Sequence, residues 1–137
     1  MKITNQKLEE LNLTLGEWIK NNEEESKFKY AIQVKIVPEL KKHFEVYQAE
    51  LEQISIDNCI EAEDEKTKAK RILIIDGVRQ FDKNGQRNKN QQDKELWKKE
   101  IDFKSYIVKD SDIPELTFNE KRAFSGILIP EIQEEVD

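Results

Sequence analysis

The sequence predicts an α+β fold, mostly α: a long kinked helix paired with an N-terminal helix as a helical hairpin, followed by a small antiparallel β segment and a short C-terminal helix. Three observations predict it. Between residues 23 and 54, Tyr30, Val37, Leu40, Phe44, Tyr47, Leu51 and Ile54 recur at steps of three, four or seven, which draws one apolar seam along a helix. RILIIDGVRQF, from Arg71 to Phe81, then changes to a β-branched run around an Asp76-Gly77 pair suited to a type I′ turn. Finally, Thr117 and Glu120 have the T-x-x-E outline of a capping box ahead of Phe118, Phe124, Ile127 and Leu128.

In chain order, Thr4 can cap a first helix carrying Leu8, Leu11, Leu15 and Trp18, with Ile19 widening the same face. Gly16 weakens that helix by about 1 kcal/mol relative to alanine, unless it admits a close partner. Asn22 and Glu25 outline a second capping box, with Glu23 and Glu24 placed where the helix dipole favours carboxylates. Residues 1–65 thus read as a helical hairpin. Pro38 interrupts its second helix by removing one hydrogen bond and crowding the carbonyl of Val34, so the helix kinks or two helices abut. The seam keeps its phase across Pro38, and Val37 is a poor N-cap, which favours the kink. At 1.5 Å rise per residue such a helix is roughly 50 Å long, against a radius of gyration near ~14 Å for a compact globule of this size. The seam therefore calls for a cover, either the rest of the chain or a second molecule.

Beyond Ile54, the polar run through Glu61, Glu63, Asp64 and Glu65 suits a solvated helical arm. Residues 70–108 read as the β segment. Its turn falls at Asp76-Gly77, or, if RILII ends a helix, at Asn84-Gly85. Residues 86–92 lack any apolar side chain and read as a mobile loop. Asp93 can cap a short helix with Leu96 and Trp97, and IDFKSYIV alternates as a strand with Ile101, Phe103 and Ile107 on one side. Residues 112–130 form the last helix, stopped by Pro130, and 131–137 an acidic tail.

Composition narrows the function classes. The 137 residues fit one domain with a modest core, since 36% are hydrophobic and 38% charged. Cys59 is the single cysteine, so no internal disulfide forms, and the opening MKITNQKLEE has no apolar signal region. These features predict a cytoplasmic protein with no membrane association. Residues 66–99 hold eleven Lys or Arg against four Asp or Glu, a surplus of seven, so with the chain at −6 the flanks together carry −13.

Candidate chemistry is sparse. His43 is the only histidine and has no evident catalytic or metal-binding partners. DKNGQRNKNQQD places its glycine fourth and ends on Asp93, which does not match a calcium loop. The acidic cluster around Glu61 reads as a solvated face, and no glycine-rich phosphate loop is present. The expectation is a protein without enzymatic activity, cofactor or metal. Two binding surfaces are expected instead: the seam residues Tyr30, Val37, Phe44, Tyr47, Leu51 and Ile54 for a protein partner, and a basic patch of Lys66, Lys68, Lys70, Arg71, Arg79, Arg87 and Lys89. The patch can meet an acidic protein surface, or phosphates with Phe81 or Trp97 stacking on a base, although the acidic total speaks against nucleic acid. Trp18 and Trp97 read as core or interface anchors.

Three stretches, MKITNQKLEELN, KFKYAIQVKIVPELKKHFEVYQAELEQI and KEIDFKSYIVKDSDIPELTFNEKRAFSGILIPEI, resemble an uncharacterised family of small tailed-bacteriophage proteins, and DKNGQ looks like that family's Asp-x-Asn-Gly turn. Pro38 and the RILIIDG stretch depart from the pattern. The resemblance brings no catalytic residues. It implies a phage protein in the host cytoplasm or the virion, an oligomer or a binder of another phage or host protein that serves as a virion component or assembly factor. An acidic inhibitor of a host enzyme or antiviral defence complex is the alternative.

Overall fold

A computed structural model describes residues 1–63 and 66–131. It is α+β and mostly α, with three antiparallel strand pairs and one parallel pair among the described residues. The chain divides into two compact units: Met1–Glu45 with the chain from Glu100 onward, and Val46–Lys99. Asp64, Glu65 and the acidic tail from residue 132 lie outside the described residues.

In the first unit, β1 (Lys2–Thr4) leads directly into α1 (Asn5–Asn21). The Thr4 hydroxyl accepts the Lys7 N–H at 3.1 Å and so caps α1 as expected. Leu8, Leu11, Leu15 and Trp18 are all buried, so the three-and-four spacing faces the core. Gly16 meets no neighbour and admits no close approach. The predicted Asn22 box does not form. Asn22 instead closes α1, its side-chain amide donating to the Trp18 carbonyl at 2.8 Å. The next helix, α2 (Lys27–Ala31), starts from Ser26, whose hydroxyl accepts the Lys29 N–H at 3.1 Å. Lys29 is itself buried, and its ammonium donates to the Glu23 carbonyl at 3.1 Å across the loop.

Pro38 does not separate two helices. A π turn at Ile32–Ile36 joins α2 to α3 (Val37–Asn58), with the Val37 N–H donating to the Ile32 carbonyl five residues back. The wider turn lies just ahead of the ring that would crowd an ordinary α ladder. It also resets the phase of the seam. Four-residue steps in a pure α-helix drift by about 40° each, and the extra residue of one π turn absorbs most of three such steps. The buried line is accordingly Phe28, Ile32, Ile36 and Leu40, whereas Tyr30 is 65% exposed.

The aromatic contacts show how this core is joined. Phe28 lies edge-on to Trp18 at 5.2 Å and to Phe124 at 6.4 Å, linking α1, α2 and α5 (Phe118–Phe124). Thr117 and Glu120 form the full reciprocal capping box. Phe118, however, is 77% exposed, and the helix stops at Phe124 instead of running to Pro130. Gly126, at φ +75°, turns the chain into a strand. The predicted strand around Ile101 to Ile107 is two strands. Glu100–Asp102, here β6, pairs antiparallel with β1, while β7 (Tyr106–Lys109) pairs in parallel with β8 (Leu128–Glu131). Phe103 is buried in line with the pattern, but beyond the break the pattern shifts by one residue, burying Val108 and leaving Ile107 exposed. Pro130 is accommodated in a short two-stranded edge.

In the second unit α3 ends at Asn58, and the expected helical arm is replaced by β2 (Glu61–Glu63), paired antiparallel with β3 (Lys70–Ile72). Next, β4 (Ile74–Ile75) and β5 (Val78–Arg79) form the hairpin predicted at Asp76-Gly77, both turn residues having positive φ. DKNGQ is not a turn. Asp82 caps α4 (Lys83–Lys98) by accepting the Gly85 N–H at 2.6 Å, so residues 86–92 are helix and not loop, and Asp93 lies within that helix. The first turns of α4 have no apolar stripe to betray them. Polar pairs four residues apart support them instead: Gln86 to Asn90 at 2.8 Å and Lys89 to Asp93 at 2.7 Å.

Candidate interaction surface

The second unit has a thin core. Among its described hydrophobic residues only Tyr47 and Leu96 are buried, while Ile74, Ile75 and Val78 are 56%, 52% and 61% exposed on the β4–β5 hairpin. An isolated two-stranded hairpin is marginal in water, so something must hold this one. The backbone supplies a closed ring at its base. Ile60 N–H donates to the Gln80 carbonyl at 2.7 Å, Gln80 N–H to Leu73 at 3.0 Å, and Leu73 N–H to Ile60 at 2.8 Å. Three segments are thereby locked by mutual hydrogen bonds that leave the hairpin tip free of them.

Arg79 adds a side-chain anchor. Its guanidinium donates to Glu52 Oε1 and, at 3.3 Å, to the Ser55 hydroxyl, both on α3. That hydrogen bond holds the Glu52 carboxyl below its usual range, and the same contact raises Arg79. Pairing places Ile74 opposite Arg79 and Ile75 opposite Val78. Alternation along a strand then puts Ile75 and Val78 together on the face away from Arg79. A hollow of about 370 Å³ beside the hairpin is lined by Ser55, Ile74, Gly77, Val78, Arg79 and Phe81.

The sequence-predicted sites are dispersed. Of the seam, Val37 and Phe44 in the first unit are half-buried and Tyr30 is exposed; in the second, Leu51 and Ile54 are half-buried and Tyr47 is buried. They do not form a continuous exposed strip, because part of the seam lies in the protein's own core and the π turn moves Tyr30 out of line. Of the basic patch, Lys66, Lys68, Lys70 and Arg71 lie at the β2–β3 end, and Arg87 and Lys89 lie on α4. Arg79 is engaged with Glu52, and Lys89 with Asp93 while it lies 5.9 Å from the Phe81 ring.

His43 is 16% exposed at its side chain, hydrogen-bonded to Glu39 at 2.8 Å and 5.7 Å from the Phe103 ring. Among the described residues no group of three or more His, Cys, Asp or Glu could hold a metal ion. Also among them, no helix is long and apolar enough to cross a membrane. The exposed hairpin was signalled by the β-branched run beside Asp76-Gly77; its anchor to Glu52 joins residues too far apart in sequence to read from spacing. Comparison with protein-family models, curated proteins and solved structures yields no match.

Proposed function

We propose that this chain is a non-enzymatic protein-binding protein whose contact surface is the β4–β5 hairpin. The observation that carries the reading is the exposure of Ile74, Ile75 and Val78 beside so small a core. Exposed apolar side chains gathered on one hairpin are a feature of surfaces that a partner covers. The ring of backbone hydrogen bonds and the Arg79 anchor fix the hairpin before binding, so little ordering remains to oppose association. On the reading that three sequence stretches resemble small tailed-phage proteins, the chain is a virion component or assembly factor whose partner is a second copy or another phage or host protein.

A photo-crosslinking residue at Val78 tests this in phage-infected host cells. The expected result is one dominant crosslinked protein, which in purified form binds the unmodified chain and loses that binding when Ile75→Lys is introduced. Absence of a specific crosslink, or a purified partner indifferent to Ile75→Lys, would overturn the reading.

A further inference from the structure

Phe28, Ile32 and Ile36 point one side of α2 and the π turn into the core. Residues two positions further on, Tyr30, Val34 and Pro38, therefore line the opposite side. All three are exposed, Tyr30 at 65% and Val34 at 43%. The stripe runs into a groove of about 290 Å³ between this helical run and the segment from Lys104 to Tyr106. Three lysines rim it, Lys35, Lys42 and Lys104, with the Lys35 ammonium 5.9 Å from the Tyr106 ring centre.

The one carboxylate in the lining is already engaged. Glu39 Oε1 accepts from His43 Nε2 at 2.8 Å and from the Lys104 backbone N–H at 3.2 Å, and Oε2 lies 3.8 Å from the Lys42 ammonium. Within a chain of net charge −6, the groove is thus a positive recess with an apolar wall.

We propose that this groove docks an acidic, amphipathic segment of a partner protein. Carboxylates of the segment meet Lys35, Lys42 and Lys104, and its apolar side chains lie along Val34, Pro38 and Tyr30. The apolar stripe is what favours a peptide, since neither a free inorganic anion nor a phosphate backbone gains from covering Val34 and Pro38. The site lies wholly within the first unit and stands independently of the hairpin.

The test titrates the full ¹⁵N-labelled chain with a synthetic peptide, Glu-Glu-Leu-Glu-Glu-Leu, beside polyglutamate of the same length and a short oligothymidylate. The expected outcome is saturable shifts at the amides of Lys104, Ser105 and Tyr106, with the leucine-bearing peptide binding at least about tenfold tighter than polyglutamate and weakening as salt is raised. Lys104→Glu alone, and the combination of Lys35→Gln, Lys42→Gln and Lys104→Gln, should each lower affinity at least about tenfold with the unfolding temperature unchanged. No saturable shift, equal binding of polyglutamate, tighter binding of oligothymidylate, or undiminished binding by the lysine variants would overturn the proposal.

Discussion

The backbone carbonyl oxygen of Asn58, the last residue of α3, occupies the space into which a Cβ on Gly85 would project. Gly85 belongs to the first turn of α4, where helix propensity alone favours alanine by about 1 kcal/mol. The neighbour here is backbone and cannot swing aside, and overpacking costs about 1–3 kcal/mol. Gly85→Ala is therefore expected to destabilise the second unit. Chemical denaturation with amide exchange of α4 measures it; a stabilised variant would mean that α3 and α4 do not meet this closely.

Gly16→Ala has the opposite sign. Gly16 is exposed in the middle of α1 with nothing within 4 Å of its added methyl. Only the propensity gain of about 1 kcal/mol remains, an increase in unfolding temperature of about 4 °C for a domain of this size. Calorimetry on the variant measures that shift.

Thr117→Ala should remove the hydroxyl that accepts the Glu120 N–H at 3.2 Å and starts a seven-residue helix. Loss of such a cap costs about 1 kcal/mol. The effect should appear first as faster amide exchange over α5, because Phe124 anchors the far end of the helix in the core.

Glu39 gives a pH prediction. Burial, the largest single influence, pushes its carboxyl up, but the hydrogen bonds from His43 and the Lys104 N–H and the charge of Lys42 together outweigh it, and the net shift is downward. A carboxyl whose folded pKa lies below its unfolded value stabilises the fold fully above the ordinary glutamate value of about 4.3. That contribution is lost as pH falls through the lower, folded value. Carbon-detected NMR titration should find Glu39 protonating below the ordinary glutamate value, and His43→Gln should move it upward. A Glu39 that titrates at the ordinary glutamate value would remove the prediction.

What was legible in the sequence is what is local. Thr4, the Leu8 to Trp18 stripe, the Asp76-Gly77 turn and the Thr117 box each depend on residues within a few positions of one another, and each forms as the spacing predicts. Where the structure differs, the cause lies in signals other than apolar spacing. The seam's spacing assumes pure α-helix, and a π turn between Ile32 and Ile36 shifts it. Residues 86–92 lack the apolar side chains that mark a helix, yet their helix rests on an Asp82 cap and polar pairs. The candidate surface was only half visible: its apolar residues lie together in sequence, while Glu52, which anchors Arg79, is far along the chain.

The central claim is that the hairpin face is what a partner covers. Its most direct measurement is the affinity of the purified crosslinked partner for the unmodified chain and for the double variant Ile75→Lys, Val78→Lys, whose fold is verified by an unchanged unfolding temperature. Binding should fall at least about a hundredfold. Equal affinity for both chains would contradict it.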